Sequence, residues 1–600
     1  MGSGLSDRLL LRRTFLAGTA RLGALGAYAG LVTTPALASM LTSCTATNAA
    51  VLPPTGDITD RLAAAKEGER VAIEPGIWLV SRDIAVAASL DFAGGTIRPA
   101  AGVVVDLQGG VIARPGEQIF DLAEVSWRRG ASRRATRRSS YAWETDCGIR
   151  LGGTVYASWF GAVEDSRVDN SLQIQAMLDC GAKEATLDGL YTHAANWVSA
   201  GQTLQGLAPL GGDGKYGLRT IAQATSFAEL WENRDPRTPA EDAFRGLTTK
   251  SNAGAVVFRD FEYDGNVRNH FDHMDQYNRY RKCDDQAEDC GRITVANFRR
   301  PLLRQAGIVV SMGESELDDE TYVSPESTLI ERVYIHDTVR SSIVGNRAPA
   351  LTIRDCALAN SDLDHLVYAD RNPDLLIEGT SFNGYAVAGM VVMSCGTIRN
   401  CAARALARNP IEGVGTSSII AFRNDLQEPS VISGLSVAGD LSSLGGAEET
   451  VAVFSFIGLR RASVTNVTVR HDGPDDVQAS VFLAKFSTRE ISIRDVDCTG
   501  MPAPSTLWNS KGQVDGLKIE GVNWSAASSN SAPAPALLQF DRLANAQFDR
   551  LSVGNGQYQA LVSADRLLRN VEISGIETPG SNSGIGVIAQ APVERGIRIR

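Results

Sequence analysis

Apolar residues recur down the C-terminal half of the chain in one beat: a first, a second three positions on, a third two further. It reads Ile330-Val333-Ile335, Ile353-Cys356-Leu358, Ile377-Thr380-Phe382 and Ile398-Cys401-Ala403. It resumes as Ile432-Leu435-Val437, Val464-Val467-Val469, Ile493-Val496-Cys498, Ile519-Val522-Trp524, Phe548-Leu551-Val553 and Ile573-Ile576, with an early copy at Phe258-Phe261-Tyr263. The first four of these are 23, 24 and 21 residues apart and the later ones 25 to 34. Alternation within each copy sets its apolar members on one side of a short strand. Self-similarity at ~20–50 residues marks stacked repeats. A second apolar run per repeat appears at Gly307–Val310, Ile343-Val344, Leu366–Tyr368 and Met390–Val392. Each repeat therefore predicts one coil of two or three short strands, with like residues stacking on like. No coil buries its apolar side alone, so each depends on its neighbours. The leucine-rich consensus is absent, and no Trp-Asp or Gly-His blade signature recurs.

The N-terminal third is patterned differently. After Pro53-Pro54, Asp57–Lys66 reads as a helix with Asp57 as a cap and Ile58, Leu62 and Ala65 on one side. Short strands follow at Arg70–Ile73, Trp78–Val80, Leu90–Phe92 and Val103–Val105, punctuated by Gly and Pro. Residues 127–138 hold Arg128, Arg129, Arg133, Arg134, Arg137 and Arg138, a solvated loop or an anion-binding patch. The register changes at Val155–Ala162. Asp165 and Asp169 then lead into Leu172, Ile174, Gln175, Ala176 and Leu178, an acid-capped helix over residues 171–179 that would close the end of the solenoid. The boundaries read as 1–44, an export segment; 45–150, a β-rich segment; and 151–600, the solenoid.

Trp159-Phe160-Gly161-Ala162, the Asp165…Asp169 run into Ile174-Gln175-Ala176, Gly189-Leu190-Tyr191 and Thr203-Leu204-Gln205-Gly206 together resemble the pectate-lyase-like right-handed parallel β-helix proteins. These include the phage tailspike-type polysaccharide depolymerases. Gln118–Asp121 resembles the segment that precedes the Trp-Phe-Gly-Ala run in that group. With the repeat, the resemblance covers most of residues 55–600. It implies an all-β chain, a single right-handed parallel β-helix with an N-terminal capping helix and a small β-rich N-terminal segment. It also implies polysaccharide as the partner, handled in a groove on an outer wall. Departures limit the chemistry carried over: the Gly-His-Gly and Arg-Ile-Lys runs of polygalacturonase-like hydrolases, the Arg-x-x-Arg-x-Pro run of calcium pectate lyases and the Asp-Pro-His-Glu of mannuronan epimerases are all missing. Asn360-Ser361-Asp362 loosely echoes the hydrolases' Asn-Thr-Asp.

Arg12-Arg13 followed by Thr14-Phe15-Leu16 and an Ala/Gly-rich stretch to Ala38 reads as a twin-arginine export signal. Ala36-Leu37-Ala38 suits an ordinary signal peptidase, while Leu41-Thr42-Ser43-Cys44 resembles a lipobox whose Cys44 would carry a lipid anchor. The expected location is the periplasm, the cell envelope or the medium. The net charge is -11. Arg8, Arg12, Arg13 and Arg21 against Asp7 give the signal +3, so the remainder is about -14, which argues against a nucleic-acid partner. Cys356 and Cys401 share a repeat position two coils apart, too far for a disulfide at ~4.8 Å per coil. Cys283 and Cys290 bracket an acidic loop and could pair in an oxidising compartment.

The candidate chemistry concentrates in two places. One coil carries Asp362, Asp364, His365, Tyr368, Asp370 and Arg371, and the preceding coil ends in His336-Asp337 with Arg340 behind. With Val367 inward, alternation turns Tyr368 and Asp370 outward. His365, Tyr368, His336, Asp337 and Asp364 would then converge as a catalytic group. A His and a Tyr near an Arg suit β-elimination of a uronic acid: one group neutralises the carboxylate, one takes the C5 proton, one protonates the leaving oxygen. Paired carboxylates suit hydrolysis instead. Flanking substrate contacts are Asp362, Asp370, Arg371, Arg340 and Asp264, with His270 and His273 in the long insertion after Asn266. No metal-ligand spacing stands out, and no cofactor is required, though a divalent cation such as calcium is compatible. The reading is an exported polysaccharide lyase first, a glycoside hydrolase on the same fold second, and a non-catalytic polysaccharide-binding or structural β-helix third.

Overall fold

A computed structural model describes residues 54–129, 143–208, 216–220, 246–250, 254–266, 306–310, 325–338, 341–361, 365–385 and most of 388–600. The repeat winds as the beat requires. From Thr154–Tyr156 to the C-terminus the described strands join one parallel sheet system of 34 strands. Strands three apart in sequence pair in register, so the chain forms three walls. Residues Ser327–Glu331, Leu351–Arg354, Leu375–Glu378 and Gly396–Arg399 build the first. Tyr334–Thr338, Ala357–Ser361 and Ser381–Tyr385 build the second. Ile343–Asn346, Val367–Asp370 and Ala388–Met393 build the third. This is a single parallel β-helix.

The first two positions of the beat explain the corner between walls one and two. Ile330, Ile353, Ile377 and Ile398 stack on the first wall, and all are buried to 1% or less. Immediately beyond each strand the chain turns on one or two residues. Asp260, Arg332, Asp355, Asn400, Asn466, Asp495 and Arg550 there all have φ between 51° and 62°. Left-handed backbone disfavours a Cβ, and Asn and Asp bear it best, which matches most of this column. Gly379 and Gly434 take the same place in two coils. Outside the corner an ion-pair ladder runs along the axis through Asp260, Arg332, Glu331 and Arg354. Inside, Phe454, Phe482 and Trp508 stack ring on ring with centroids 5.0 and 6.1 Å apart. Cys356 and Cys401 are buried, free and separated by Thr380, as a two-coil spacing demands.

Ahead of the solenoid, residues 56–151 form three further parallel sheets of three strands each, a short triangular coil of their own. Its apolar core is continuous with that of the main helix, from Ile58 to Ile573. The first helix spans only Thr59–Ala64, shorter than the sequence pattern suggested, and Asp57 accepts the Thr59 amide at 2.8 Å. The capping helix is Ser171–Asp179, with Asp169 accepting the Ser171 amide at 3.0 Å. Its last residue, Asp179, bonds Lys250 of the third wall at 2.7 Å, and Lys250 also meets Glu144 at 3.5 Å. Three segments distant in sequence are thus tied at one buried ammonium. Among the described residues no helix is long and apolar enough to cross a membrane.

Candidate functional site

The second wall carries the densest group of ionisable side chains. In register, Tyr263, Ile335 and Leu358 stack inward and are buried to 1% or less. Strand alternation therefore sends their neighbours outward. Glu262 stacks under Tyr334, and Asp264 under His336. The insertion separates these coils in sequence, but the ladder sets them side by side.

His336 is the centre. Its Nδ1 lies 2.8 Å from Asp337 Oδ2 and its Nε2 3.1 Å from Glu262 Oε1, with Asp264 Oδ1 at 3.9 Å from Nδ1. Only an imidazolium can donate from both ring nitrogens. Burial by itself pulls the His336 pKa down. The hydrogen bonds to Asp337 and Glu262, with the Asp264 and Asp337 charges, outweigh it and hold the group at about 9. The ring of Tyr334 stacks on it, centroids 4.4 Å apart at 21°. Burial first, and then the charges of Asp337, Glu262 and Asp264, push the Tyr334 phenol up, so it stays neutral.

Each carboxylate is fixed by a separate partner. Arg219 Nε donates to Asp264 Oδ2 at 2.7 Å, and the Asn266 amide donates to Asp264 Oδ1 at 2.8 Å. Asn360, one coil on, donates from Nδ2 to Asp337 Oδ1 at 3.1 Å. Asp337 and Asn360 have φ of 52° and 60°, and Gly384 follows them with φ 70°. This second left-handed column breaks the pleat within the strands, so Asp337 swings to the same side as His336. A Cβ on Gly384 would stand 2.6 Å from Asn360 Oδ1, so this position requires glycine. Behind the wall, His193 bonds Asn196 at 2.9 Å and meets Tyr263 edge-on at 5.6 Å. Full burial lowers its pKa to about 4, against a weaker opposing bond from Asn196.

Glu262, Asp264 and His336 each offer one ligand atom within 4.8 Å of the others. This set fits calcium poorly. Calcium takes six to eight oxygens. Here there are two carboxylates and an imidazole whose nitrogens already face acids.

The structure divides the group expected from the sequence. His336 and Asp337 lie on the second wall, and Asp264 joins them. Tyr368 lies on the third wall, in register between Val344 and Val391. His365, just before that strand, is buried and stacks on Tyr368 with centroids 6.0 Å apart at 15°. The outer side of the third wall there is apolar: Tyr368 and Met393 pack on Ala388, Val391 and Ala421. Asp370 is buried, and its carboxylate lies 3.8 Å from Arg371 Nε. His365 and Tyr368 thus belong to a different wall from His336, because the chain turns a corner between Thr338 and Ile343. Asp362, Asp364, Arg340, His270 and His273 lie outside the described residues, as do Cys283 and Cys290. Glu262, Tyr334 and Arg219 are not among the residues singled out from the sequence, and Asn360 is noted there only for its Asn-Ser-Asp run. The available signal was the alternation Glu262-Tyr263-Asp264 against Tyr334-Ile335-His336, each with its apolar member on the beat.

No family model and no curated protein matches the chain. Solved structures that it is similar to include the A-module of the mannuronan C-5 epimerase AlgE4 from Azotobacter vinelandii. That pair has 13% identity and a TM-score of 0.35, covering 74% of this chain and 99% of that one. The full-length tailspike protein 2 of an Escherichia coli O157:H7 bacteriophage has 13% identity and a TM-score of 0.36, covering 72% of this chain and 43% of that one. The catalytic domain of a GH87 α-1,3-glucanase in complex with nigerose has 10% identity and a TM-score of 0.32, covering 72% and 68%. Likenesses this distant carry no argument about chemistry, and the fold rests on the strand ladder itself.

Proposed function

We propose that this chain is a carbohydrate-active enzyme that cleaves a polysaccharide at the second wall, with hydrolysis ahead of β-elimination. One observation carries the reading: Glu262, Asp264 and His336 converge within 4.8 Å on the outer side of adjacent coils. Glycoside hydrolysis needs two carboxyl groups in different protonation states, about 5–5.5 Å apart when a covalent intermediate forms. Asp264, held in place by Arg219 and the Asn266 amide, is positioned to act as nucleophile or base. Glu262 accepts the proton that His336 carries on Nε2, so the His336–Glu262 pair is the proton source for the leaving oxygen. The His336 imidazolium offsets part of the negative charge and orients Glu262 and Asp337. Asp337, 19% exposed at its side chain, is the member most open to solvent.

Elimination is less well served here. A uronate held at this cluster would bring its own carboxylate against those of Glu262, Asp264 and Asp337, with only Arg219 and His336 to answer them. The stacked His365–Tyr368 pair with Arg371 near it favours elimination as the second reading, on the third wall. Export through Arg12-Arg13, with Cys44 lipidated or cleavage after Ala38, completes the proposal.

The test is product analysis. The purified chain is incubated with a panel of neutral and acidic polysaccharides. Reducing ends without ultraviolet absorbance support hydrolysis; absorbing unsaturated ends move the chemistry to His365 and Tyr368; binding without either product makes the chain a scaffold. For export, an Arg12→Lys/Arg13→Lys variant should stay inside the cell, and fatty-acid labelling should separate Cys44 lipidation from cleavage.

A further inference from the structure

The column of the second wall that holds Asp264 and His336 continues through Ala359, Asn383, Arg404, Ala438 and Arg470, each in register with the next. Arg404, Ala438 and Arg470 are exposed, as are Ala402, Ser436 and Thr468 of the neighbouring column. Among the described residues neither Arg404 nor Arg470 meets a carboxylate. Arginines at the first corner behave otherwise: Arg332, Arg354, Arg399 and Arg461 are each paired with an acid. Two free guanidinium groups therefore stand on an open floor, separated only by short side chains, in line with the carboxylate cluster.

Their spacing carries chemical information. Arg404 and Arg470 are two coils apart, about 10 Å at ~4.8 Å per coil. One coil is close to the length of one pyranose in an extended chain, so the pair matches acidic groups at every second sugar. Arg404 is three coils from His336 and Arg470 five.

We propose that the second wall binds a linear anionic polysaccharide lying along the solenoid axis, with an acidic group on one edge at every second residue, read by Arg404 and Arg470. This rests on the second wall being the substrate-facing wall. Two polymers share that chemistry: a copolymer alternating acidic and neutral sugars, and a two-fold homopolymer whose acids alternate sides. Guanidinium suits carboxylate or sulfate as a bidentate donor, and its exposure keeps each contact modest and salt-dependent.

The test is binding of the full chain, by calorimetry at low salt, to hyaluronan oligosaccharides (alternating), β-1,4-polyglucuronate (two-fold) and dextran (neutral). An Arg404→Gln/Arg470→Gln variant is compared with the unaltered protein and with Arg399→Gln, a paired arginine of the first wall. The expected result is binding of one or both anionic probes, weakened about tenfold in the double variant and by raised salt, with Arg399→Gln binding as before. Whichever anionic probe responds names the source. The proposal is overturned if the unaltered chain binds neither anionic probe, or if the double variant binds them equally well. Arginine-dependent binding without cleavage of any probe would leave the track standing and remove the hydrolase reading. Equal cleavage of dextran by both proteins, without arginine-dependent binding, would do the reverse.

Discussion

Two histidine–tyrosine stacks occupy successive coils of this solenoid, and they differ in what the ladder sets beside them. On the second wall Tyr334 covers His336, and the preceding coil supplies Glu262 and Asp264. On the third wall Tyr368 lies against His365, and the adjacent coils supply Val344 and Val391. The first ring is a half-buried cation among acids, while the second stacks on a tyrosine of an apolar outer patch. A parallel β-helix therefore assigns chemistry by register. The same two residue types join a charged cluster or a packing element according to the residues one coil away.

The sharpest way to break this comparison is to neutralise the carboxylate that bonds His336 on the second wall. Glu262→Gln keeps the shape and removes a proton-transfer group, so turnover on the responding polysaccharide should fall about 10²–10⁴-fold. Circular dichroism should change little, while melting near neutral pH should fall, because His336 loses one of the acids that hold its proton. A variant with full activity would take the second wall out of contention.

Exchanging the two histidines is next in size. His336→Ala leaves Glu262, Asp264 and Asp337 crowded without their cation, and turnover should fall about 10²-fold. His365→Ala removes a stacked ring from a buried place and should act mainly on stability, costing about 1–3 kcal/mol, with turnover of the folded protein within a few-fold of normal. The opposite pattern would put the chemistry on the third wall, where the elimination reading has its residues.

The wall architecture was legible from the beat alone, because burying Ile353, Ile377 and Ile398 on one side is a matter of period, and period is local. The capping helix was legible for the same reason. Site assembly was not. Glu262 reaches His336 across an interval of 74 residues, and only coil registration fixes which of many acids lands there. His336 and His365 fall at comparable points of adjacent coils in the sequence, which predicts that stacking brings them together. The sequence does not show that the corner after Thr338 assigns Tyr368 to another wall. The left-handed kink at Asp337, which turns that carboxylate toward His336, leaves only a faint trace in the Asp337, Asn360, Gly384 column.

Acidity offers a quieter contrast, between His336 and the buried His193 behind the same wall. For His336 the folded-state value, about 9, is above the ordinary 6.5. Its stabilisation is therefore complete below pH 6.5 and lost as pH rises through 9. Between pH 7 and 10 this amounts to about 2–3 kcal/mol. For His193 the folded-state value, about 4, is below the ordinary one, so stability is present above pH 6.5 and lost as pH falls toward 4. Denaturant melts across this range should show a maximum near pH 6.5–7. Replacing His336 with Gln should flatten the alkaline side and leave the acid side unchanged. An alkaline slope that survives the substitution would mean that the imidazolium is not held by Glu262 and Asp337.

The smallest effect tests how the second wall aims Asp337. Asn360 contributes twice: it tolerates a left-handed φ of 60°, and its amide donates to Asp337 at 3.1 Å. Glycine accepts that backbone more easily but has no amide, whereas alanine has neither advantage. Asn360→Gly should therefore leave stability within about 0.5 kcal/mol, while Asn360→Ala should cost about 1–2 kcal/mol for the Cβ in the left-handed region. Both lose the bond to Asp337, so both should lower turnover by a similar few-fold factor if that bond positions the carboxylate. Equal stabilities for the two variants would mean that the kink is not enforced by this residue. Unequal turnover would mean that backbone strain, rather than the amide, sets the direction of Asp337.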